Sequence, residues 1–241
     1  LLGPSGVGKS SLLRLIAGLE AFETGGKVRF RANGQESPAN IAYMAQQDLL
    51  MPWLTVIENV VIGSRLRGAR PAYERARELL DSVGLADRAD DYPRVLSGGM
   101  RQRTALIRTL MEDRPIVLMD EPFSALDPLI RRQMRGELAS LQEEIQKTII
   151  FITHDLDEAV TVGDRIAIMK DGEIIQLGSP QDIIMNPVDD FVKEFTQGIP
   201  KTKVINVASI ISEPELIIAD WRRIEDLVAQ MDRAGTEYAI C

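Results

Sequence analysis

The chain has 241 residues, of which 45% are hydrophobic and 27% are charged, a balance typical of a globular protein with a sizeable core. The formal net charge of −8 argues against a nucleic-acid-binding surface, because such surfaces are basic. The single cysteine excludes a disulfide within the chain, and no apolar run reaches the roughly 20 residues that a membrane-spanning helix needs.

The first motif stands at residues 3–10, whose sequence GPSGVGKS fits the phosphate-loop pattern G-x-x-x-x-G-K-[ST]. Gly6 and Gly8 let the backbone approach an anion closely, so that successive N–H groups point at it. Lys9 adds a positive charge for the terminal phosphates, and the Ser10 hydroxyl is placed to ligate Mg²⁺. Apolar residues then follow at helical spacing, so the helix dipole is directed at the same anion.

The next segments predict two strands and a loop. Residues 28–30 and 41–44 have the pattern of short strands, and Asn33-Gly34 between them is a turn signal. Residues 46–53, QQDLLMPW, begin polar and then become apolar until a proline interrupts them, which favours a loop. The apolar part of this loop either packs internally or offers a groove to a partner.

Three helices are predicted in the region that follows. Residues 55–62 form the first, and residues 71–83 form the second, with one apolar face and Gly84 as a stop. Residues 96–99, LSGG, open the third helix, which runs to Leu110.

Two continuous apolar runs, at residues 116–119 and 148–152, are typical of strands that are buried on both faces of a parallel sheet. Between them, residues 129–145 place their apolar side chains on one face of a long helix. Residues 165–169 and 173–177 have the pattern of a hairpin. This alternation of helices and buried strands predicts an α/β fold with a mainly parallel sheet.

Two carboxylates, Asp120 and Glu121, follow the strand at residues 116–119 directly. Ligands of open α/β sheets bind at the carboxyl ends of the strands, so both side chains are expected at a ligand site. Asp120 is positioned for Mg²⁺, and Glu121 would polarise the attacking water as a general base.

The second motif is residues 96–102, LSGGMRQ, where a serine and two glycines begin a helix and offer a hydroxyl and N–H groups to an anion. With the phosphate loop and the two carboxylates, it resembles the nucleotide-binding subunit of ATP-binding cassette (ABC) transporters, whose signature is L-S-G-G-x-x-Q. The resemblance covers Gly3 to about Gly198. It implies a P-loop NTPase fold of ABC type, with a mainly parallel sheet core and a helical subdomain at about residues 54–112.

The resemblance implies a role for each residue that matches the family. Nucleotide contacts are implied for Gly3, Pro4, Ser5, Gly6, Val7, Gly8, Lys9, Ser10, Ser11, Ser97, Gly98, Gly99, Gln102 and Asp127. The implied catalytic residues are Glu121, His154 and Gln46. The implied magnesium ligands are Ser10, Gln46 and Asp120.

Three of these assignments rest on shorter motifs. Gln46 matches the glutamine of the Q-loop, and Gln47 beside it is the second choice. Asp127 belongs to a SALD sequence similar to the D-loop. His154, the only histidine in the chain, follows a buried strand and resembles the switch histidine near the γ-phosphate.

The implied cofactors are ATP and Mg²⁺. In this family two subunits pair head to tail, and the signature of one closes over ATP that the phosphate loop of the other holds. A single loop covers only one side of the γ-phosphate, whereas phosphoryl transfer needs polar groups all around it. The implied partners are a second ATP-binding subunit in a homodimer, a transmembrane permease and an extracytoplasmic substrate-binding protein, with no nucleic acid. The implied location is the cytoplasmic face of the inner membrane, as a peripheral subunit.

Two importer groups share segments with the chain. Residues 49–55, LLMPWLT, resemble the nitrate, sulfonate, taurine and pyrimidine-precursor group. Residues 152–159 and 163–169, ITHDLDEA and GDRIAIM, resemble the glycine betaine and proline-betaine group. The implied function is an ATPase subunit that powers import of a small solute. The alternatives are a soluble ABC ATPase that is not coupled to transport and an inactive remnant.

The two ends of the chain carry further predictions. Only Leu1 and Leu2 represent the strand before the phosphate loop, and the family's adenine-stacking aromatic residue lies upstream of it, so we expect an N-terminally truncated domain. Residues 1–198 would form the ATP-binding domain, and residues 199–218 a linker. Residues 219–241 are either the start of a truncated regulatory domain of the cystathionine-β-synthase (CBS) type or an arbitrary amphipathic tail.

Overall fold

A computed structural model describes residues 1–21, 27–32, 35–37, 40–124, 126–145, 147–198, 200 and 204. The chain divides into two compact units, Leu1–Ile199 and Pro200–Cys241. The predicted turn at Asn33-Gly34, and nearly all of the predicted linker and CBS-type segment, lie outside the described residues. All of the predicted site residues belong to the first unit.

The helices of this unit are α1 (Lys9–Ile16), α2 (Val56–Val60), α3 (Ile62–Leu66), α4 (Tyr73–Ser82), α5 (Gly98–Leu110), α6 (Pro128–Ile145), α7 (Leu156–Val162), α8 (Pro180–Met185) and α9 (Asp190–Thr196). Short 3₁₀ turns lie at Ala86–Arg88 and Pro93–Val95. The strands are β1 (Phe30–Ala32), β2 (Gln35–Ser37), β3 (Ile41–Met44), β4 (Ile116–Asp120), β5 (Thr148–Ile152), β6 (Ile166–Lys170) and β7 (Glu173–Gly178). Among the described helices, none combines the length and the apolar character needed to cross a bilayer.

The core of the unit is a parallel sheet in the order β3-β4-β5. Ile41 pairs with Ile116 at one end of the sheet, and Asp120 pairs with Ile152 at the other. Val117, Leu118 and Met119 of β4 are fully buried, as their uninterrupted apolar run predicts. The predicted α/β fold with a parallel core is confirmed, and all three strands end at the same edge of the sheet.

Leu1 and Leu2 extend this arrangement toward the hairpin of β6 and β7. Leu2 bridges in parallel to both Thr153 and Ile168. Its N–H donates to the carbonyl of Ala167 at 2.9 Å, and its own carbonyl accepts from Met169 N–H at 2.8 Å. Because Leu2 runs parallel to both neighbours and pairs with Thr153 just beyond the end of β5, the loop that follows it emerges at the carboxyl edge of the sheet.

Two local predictions differ from the structure. The strand predicted at residues 28–30 lies at Phe30–Ala32, and it pairs with Gln35–Ser37, a strand that the sequence did not predict. The apolar side chains of β3 are better buried in the parallel sheet beside β4, which leaves the polar β2 as the nearest partner of β1. The helix predicted at residues 55–62 divides into α2 and α3, which meet at Val61.

The helical region packs around α5, whose residues Ala105, Leu106 and Ile107 are fully buried. Burying one large aliphatic side chain stabilises the fold by about 1.5–3 kcal/mol, so this helix contributes strongly to the main hydrophobic cluster. At the start of α2, Thr55 and Glu58 form a reciprocal capping box that satisfies the backbone N–H groups of both residues. This packing holds the first turn of α5, with the LSGG sequence, at a fixed position relative to the sheet.

Candidate functional site

The loop at residues 3–10 adopts a conformation that requires its glycines. Gly6 and Gly8 have positive φ angles of 83° and 92°, in the left-handed region that side chains disfavour. A Cβ at Gly3 would lie 2.4 Å from the carbonyl oxygen of Met169, so only glycine fits where the loop passes β6. The loop ends at Gly8, which precedes the first turn of α1, and it therefore curves around the positive end of the helix dipole.

Lys9 holds this loop closed. Its ammonium group donates to the carbonyl oxygens of Gly3 at 2.9 Å and Pro4 at 2.7 Å. Burial lowers the pKa of Lys9, while the negative charges of Glu121 and Asp120 act in the opposite direction. The side chain is thus a buried cation at the floor of the loop, and an incoming phosphate would bring further negative charge to it.

Ser10 and Asp120 meet beside the lysine. The Ser10 hydroxyl donates to Asp120 Oδ1 at 2.8 Å, and the Tyr43 hydroxyl contacts the other carboxylate oxygen at 3.4 Å. Asp120 is only 4% exposed, because it is the last residue of the buried strand β4. Hydroxyl and carboxylate oxygens are the ligands that Mg²⁺ prefers, so this donor set fits a magnesium ion. Tyr43 was not predicted here, although its place in β3 opposite Leu118 put it near this edge.

Glu121 is in contact with both other predicted catalytic residues. Gln46 Nε2 donates to Glu121 Oε2 at 3.4 Å and to the Ser124 hydroxyl at 3.3 Å. His154 Nδ1 lies 3.4 Å from Glu121 Oε1. Glu121 has a positive φ of 44°, a strained backbone conformation for a residue that is not glycine.

A cavity of about 340 Å³ joins the phosphate loop to Gln46 and Glu121. Its lining residues are Ser5, Gly6, Gly8, Lys9, Ser10, Ser11, Gln46 and Glu121. Of the two Q-loop choices, Gln46 lines this cavity and Gln47 lines a neighbouring groove instead. The phosphate loop, Gln46 and Glu121 lie far apart in the sequence, yet they line one polar cavity. Asp120 contacts Ser10, and His154 contacts Glu121.

The signature residues do not line the phosphate-loop cavity. Ser97 caps α5 by accepting from Met100 N–H at 3.2 Å, and Asp127 caps α6 by accepting from Leu129 and Ile130 N–H at 3.1 Å. Ser97, Gly98, Gly99 and Asp127 line a second cavity of about 440 Å³, together with Met100, Arg103, Leu126 and Ile130. No residue of the phosphate loop is among these lining residues. Within one chain, the two groups of predicted nucleotide contacts therefore line separate cavities.

Gln102 occupies a different kind of position from the rest of the signature. It is 4% exposed, and its Nε2 donates to the carbonyl of Pro122 at 2.7 Å. This hydrogen bond ties α5 to the turn that follows Glu121, and the Gln102 amide is directed into the protein interior. The nucleotide contact expected of Gln102 remains a prediction, whereas its link to the turn is a structural contact that sequence spacing did not indicate.

Comparison with known proteins identifies the family. A sequence profile described as "ABC transporter" matches residues 1–124. The chain belongs to the ABC transporter family. The ABC fold is further supported by a solved dimeric structure of the ATP-binding cassette MJ0796 in a post-hydrolysis state with ADP and Pi, at a TM-score of 0.63 and 34% identity over 74% of this chain and 83% of that one.

Two curated relatives also match most of this chain. The trimethylamine N-oxide transport ATP-binding protein TmoW of Pelagibacter ubique is 42% identical over 89% of this chain and 66% of its own length. The glycine betaine/proline betaine transport ATP-binding protein ProV of Escherichia coli is 43% identical over 87% of this chain and 55% of its own length. The chain thus spans between about half and two thirds of these relatives, and the importer-type resemblance indicated by its motifs is confirmed.

Proposed function

We propose that this ABC family member hydrolyses ATP to ADP and phosphate and that this reaction powers the import of a small solute. The observation that carries the proposal is that Lys9, Glu121 and Gln46 line one cavity at the phosphate loop. Asp120 accepts from Ser10 beside it, and His154 lies against Glu121. The relatives support ATP as the ligand, since their names describe ATP-binding transport subunits.

The residues of the cavity divide into binding and catalytic groups. The N–H groups of the loop and the Lys9 ammonium bind the β- and γ-phosphates. Ser10 and Asp120 would hold Mg²⁺, with Gln46 close by, and a bound Mg²⁺ supplies neutralisation of the negative charge on these phosphates.

Glu121 is the proposed general base. Its carboxylate accepts a proton from water as the water oxygen attacks the γ-phosphorus, and the bond to the bridging oxygen of ADP breaks. Gln46 and His154 hold Glu121 from two sides, at Oε2 and Oε1 respectively, which fixes the direction of its free lone pairs. His154 is also proposed to contact the γ-phosphate.

The reaction is proposed to need two copies of the chain. The cavity at Ser97 to Asp127 is lined by no phosphate-loop residue of its own chain, which supports its use on the ATP of a partner. A head-to-tail homodimer with two-fold symmetry would form two equivalent composite sites. The structural neighbour is itself described as a dimer, which is consistent with this arrangement.

The proposed cargo is a quaternary amine or a similarly small polar solute. Trimethylamine N-oxide and betaine systems support this class, and a sulfate/thiosulfate import ATP-binding protein of Pseudomonas aeruginosa, 42% identical, keeps the oxyanion alternative open. A transmembrane permease and an extracytoplasmic binding protein are the proposed partners, with this subunit at the cytoplasmic face of the membrane. Residues 199–218 and 219–241 are proposed as a linker and as part of a CBS-type regulatory domain.

The direct test is release of phosphate from ATP by the purified intact protein. We expect hydrolysis that requires Mg²⁺ and stops on addition of EDTA, because the ion that Ser10 and Asp120 would hold neutralises the charge of the phosphates. Hydrolysis that stays unchanged in EDTA would contradict the metal assignment, and a protein that binds ATP without any turnover would favour the inactive-remnant alternative. Stimulation by membranes that contain the permease would separate a transport subunit from a soluble ATPase.

A further inference from the structure

We propose that Arg131, in the first turn of α6, is a positioning residue that holds the loop before Asp127 against the segment that carries His154. This inference rests on the proposed ATPase function, because the loop and the segment bear residues of that reaction. Arg131 lines neither the phosphate-loop cavity nor the signature cavity, so any effect it has must act through its neighbours.

The segment around His154 is a closed hydrogen-bonded unit. Thr153 Oγ1 donates to Glu158 Oε2 at 2.6 Å, and the same Thr153 oxygen accepts from Asp155 N–H at 2.9 Å. Asp155 Oδ1 caps α7 by accepting from the N–H groups of Asp157 and Glu158. The residues on both sides of His154 are therefore held in place by hydrogen bonds within this unit.

Arg131 joins this unit to the loop that follows Glu121. Its Nη2 donates to the carbonyl oxygen of Leu126 at 3.1 Å and contacts that of Ser124 at 3.4 Å. On its other side, Nη1 lies 3.7 Å from Asp155 Oδ2, and Nε lies 3.6 Å from Glu158 Oε1. One planar guanidinium thus bridges two backbone carbonyls of one segment and two carboxylates of the other.

The loop side of this bridge leads directly to the proposed base. The Ser124 hydroxyl donates to the carbonyl of Glu121 at 3.0 Å and accepts from Gln46 Nε2 at 3.3 Å. The other side of the bridge reaches Asp155, next to the histidine that contacts Glu121. Arg131 therefore lies outside the phosphate-loop cavity, at a position from which it can hold Glu121 and His154 in a fixed relative placement.

The electrostatics favour a cation at this position, and the geometry favours arginine over lysine. The Glu158 side chain is only 6% exposed, and its burial raises the pKa of that carboxyl, while the charges of Arg131 and Arg135 act against the rise. A lysine would restore the compensating charge, but it presents one point of donation where the guanidinium presents a rigid fork. Replacement by lysine should therefore preserve the fold and still loosen the bridge.

The test compares Arg131→Lys and Arg131→Met with a matched control, Arg132→Met, which removes the same charge from an exposed position one residue along α6. For Arg131→Lys we expect a Tm close to wild type, a kcat lowered ~10- to 100-fold because misplacement by about 1 Å can have that effect, and an unchanged KM for ATP. Arg131→Met should lose the same activity and also some stability. Arg132→Met should behave as wild type in all three measurements.

Hydrogen exchange provides a readout that does not depend on turnover. In Arg131→Lys, the amides of Ser124, Leu126 and Asp155 should exchange faster, while those of α4, which Arg131 does not contact, should not change. A wild-type kcat together with unchanged exchange in Arg131→Lys would overturn the proposal, as would an equal loss in Arg132→Met. A wild-type protein without ATPase activity would instead contradict the proposed function, and the exchange of the three amides would still decide the role of Arg131.

Discussion

Replacement of Glu121 by Gln lowers the kcat for ATP hydrolysis by about 10²- to 10⁴-fold, which is the usual contribution of a positioned general base. The amide keeps the size of the carboxylate and can still hydrogen-bond to Gln46 and His154, but it does not accept a proton from water. ATP binding is retained, because Glu121 is not among the groups that hold the phosphates. Since hydrolysis is the step that would release ATP from the dimer, this variant should also accumulate as a dimer when ATP is present.

The measurements are single-turnover hydrolysis, ATP affinity and the elution volume with and without ATP. Glu194→Gln is the matched control, since Glu194 lies exposed on α9, and it should hydrolyse ATP as wild type does. Unchanged hydrolysis in Glu121→Gln would remove Glu121 from the role of base. The strained φ of 44° at this residue would then have a purely structural origin.

Lys9→Ala is expected to weaken ATP binding by ~10- to 100-fold, because a hydrogen bond to a charged group contributes about 1.5–3 kcal/mol. Turnover should fall further, since the lysine also faces charge that develops on the γ-phosphate during transfer. The variant also loses the two hydrogen bonds that close the loop onto the carbonyls of Gly3 and Pro4. Loss of preorganisation and loss of charge therefore act in the same direction.

Isothermal titration with ATP and Mg²⁺ measures this effect, and the Tm separates it from unfolding. Lys193→Ala, at an exposed position of α9, removes the same charge away from the cavity and should leave binding unchanged. ATP affinity equal to wild type in Lys9→Ala would mean that the cavity at the phosphate loop is not where the nucleotide binds.

Local patterns were sufficient to predict the parts of the site that depend on short stretches of chain. The phosphate loop, the two carboxylates at the end of β4 and the helix that begins after Ser97 each follow from residues within one turn or one strand end. The buried strands β4 and β5 were equally clear, because a short uninterrupted apolar run between polar segments is typical of a strand inside a parallel sheet. The polar strand β2 carries no such pattern, and only the fold reveals it.

Contacts between distant segments could not be predicted in this way. Tyr43 and Asp120 are 77 residues apart, and Gln102 and Pro122 meet only because α5 packs beside the turn after β4. Arg131 has the same spacing as many solvent-exposed arginines on a helix, and no residue near it in the sequence indicates the carboxylates of Asp155 and Glu158. Tertiary packing decides these contacts, and it also decides that the two groups of nucleotide contacts line separate cavities.

Mixing two inactive variants tests whether these separate cavities form one site across two chains. Lys9→Ala disables the phosphate loop, and Ser97→Arg blocks the signature cavity with a bulky charge. In a mixed head-to-tail dimer, one composite site carries both defects and the other carries neither. Equimolar mixing should therefore restore about a quarter of wild-type activity, because half of the randomly paired dimers are mixed and each has one intact site of two. Mixtures that remain as inactive as the separate variants, at concentrations where wild type hydrolyses ATP, would contradict a site shared between two chains.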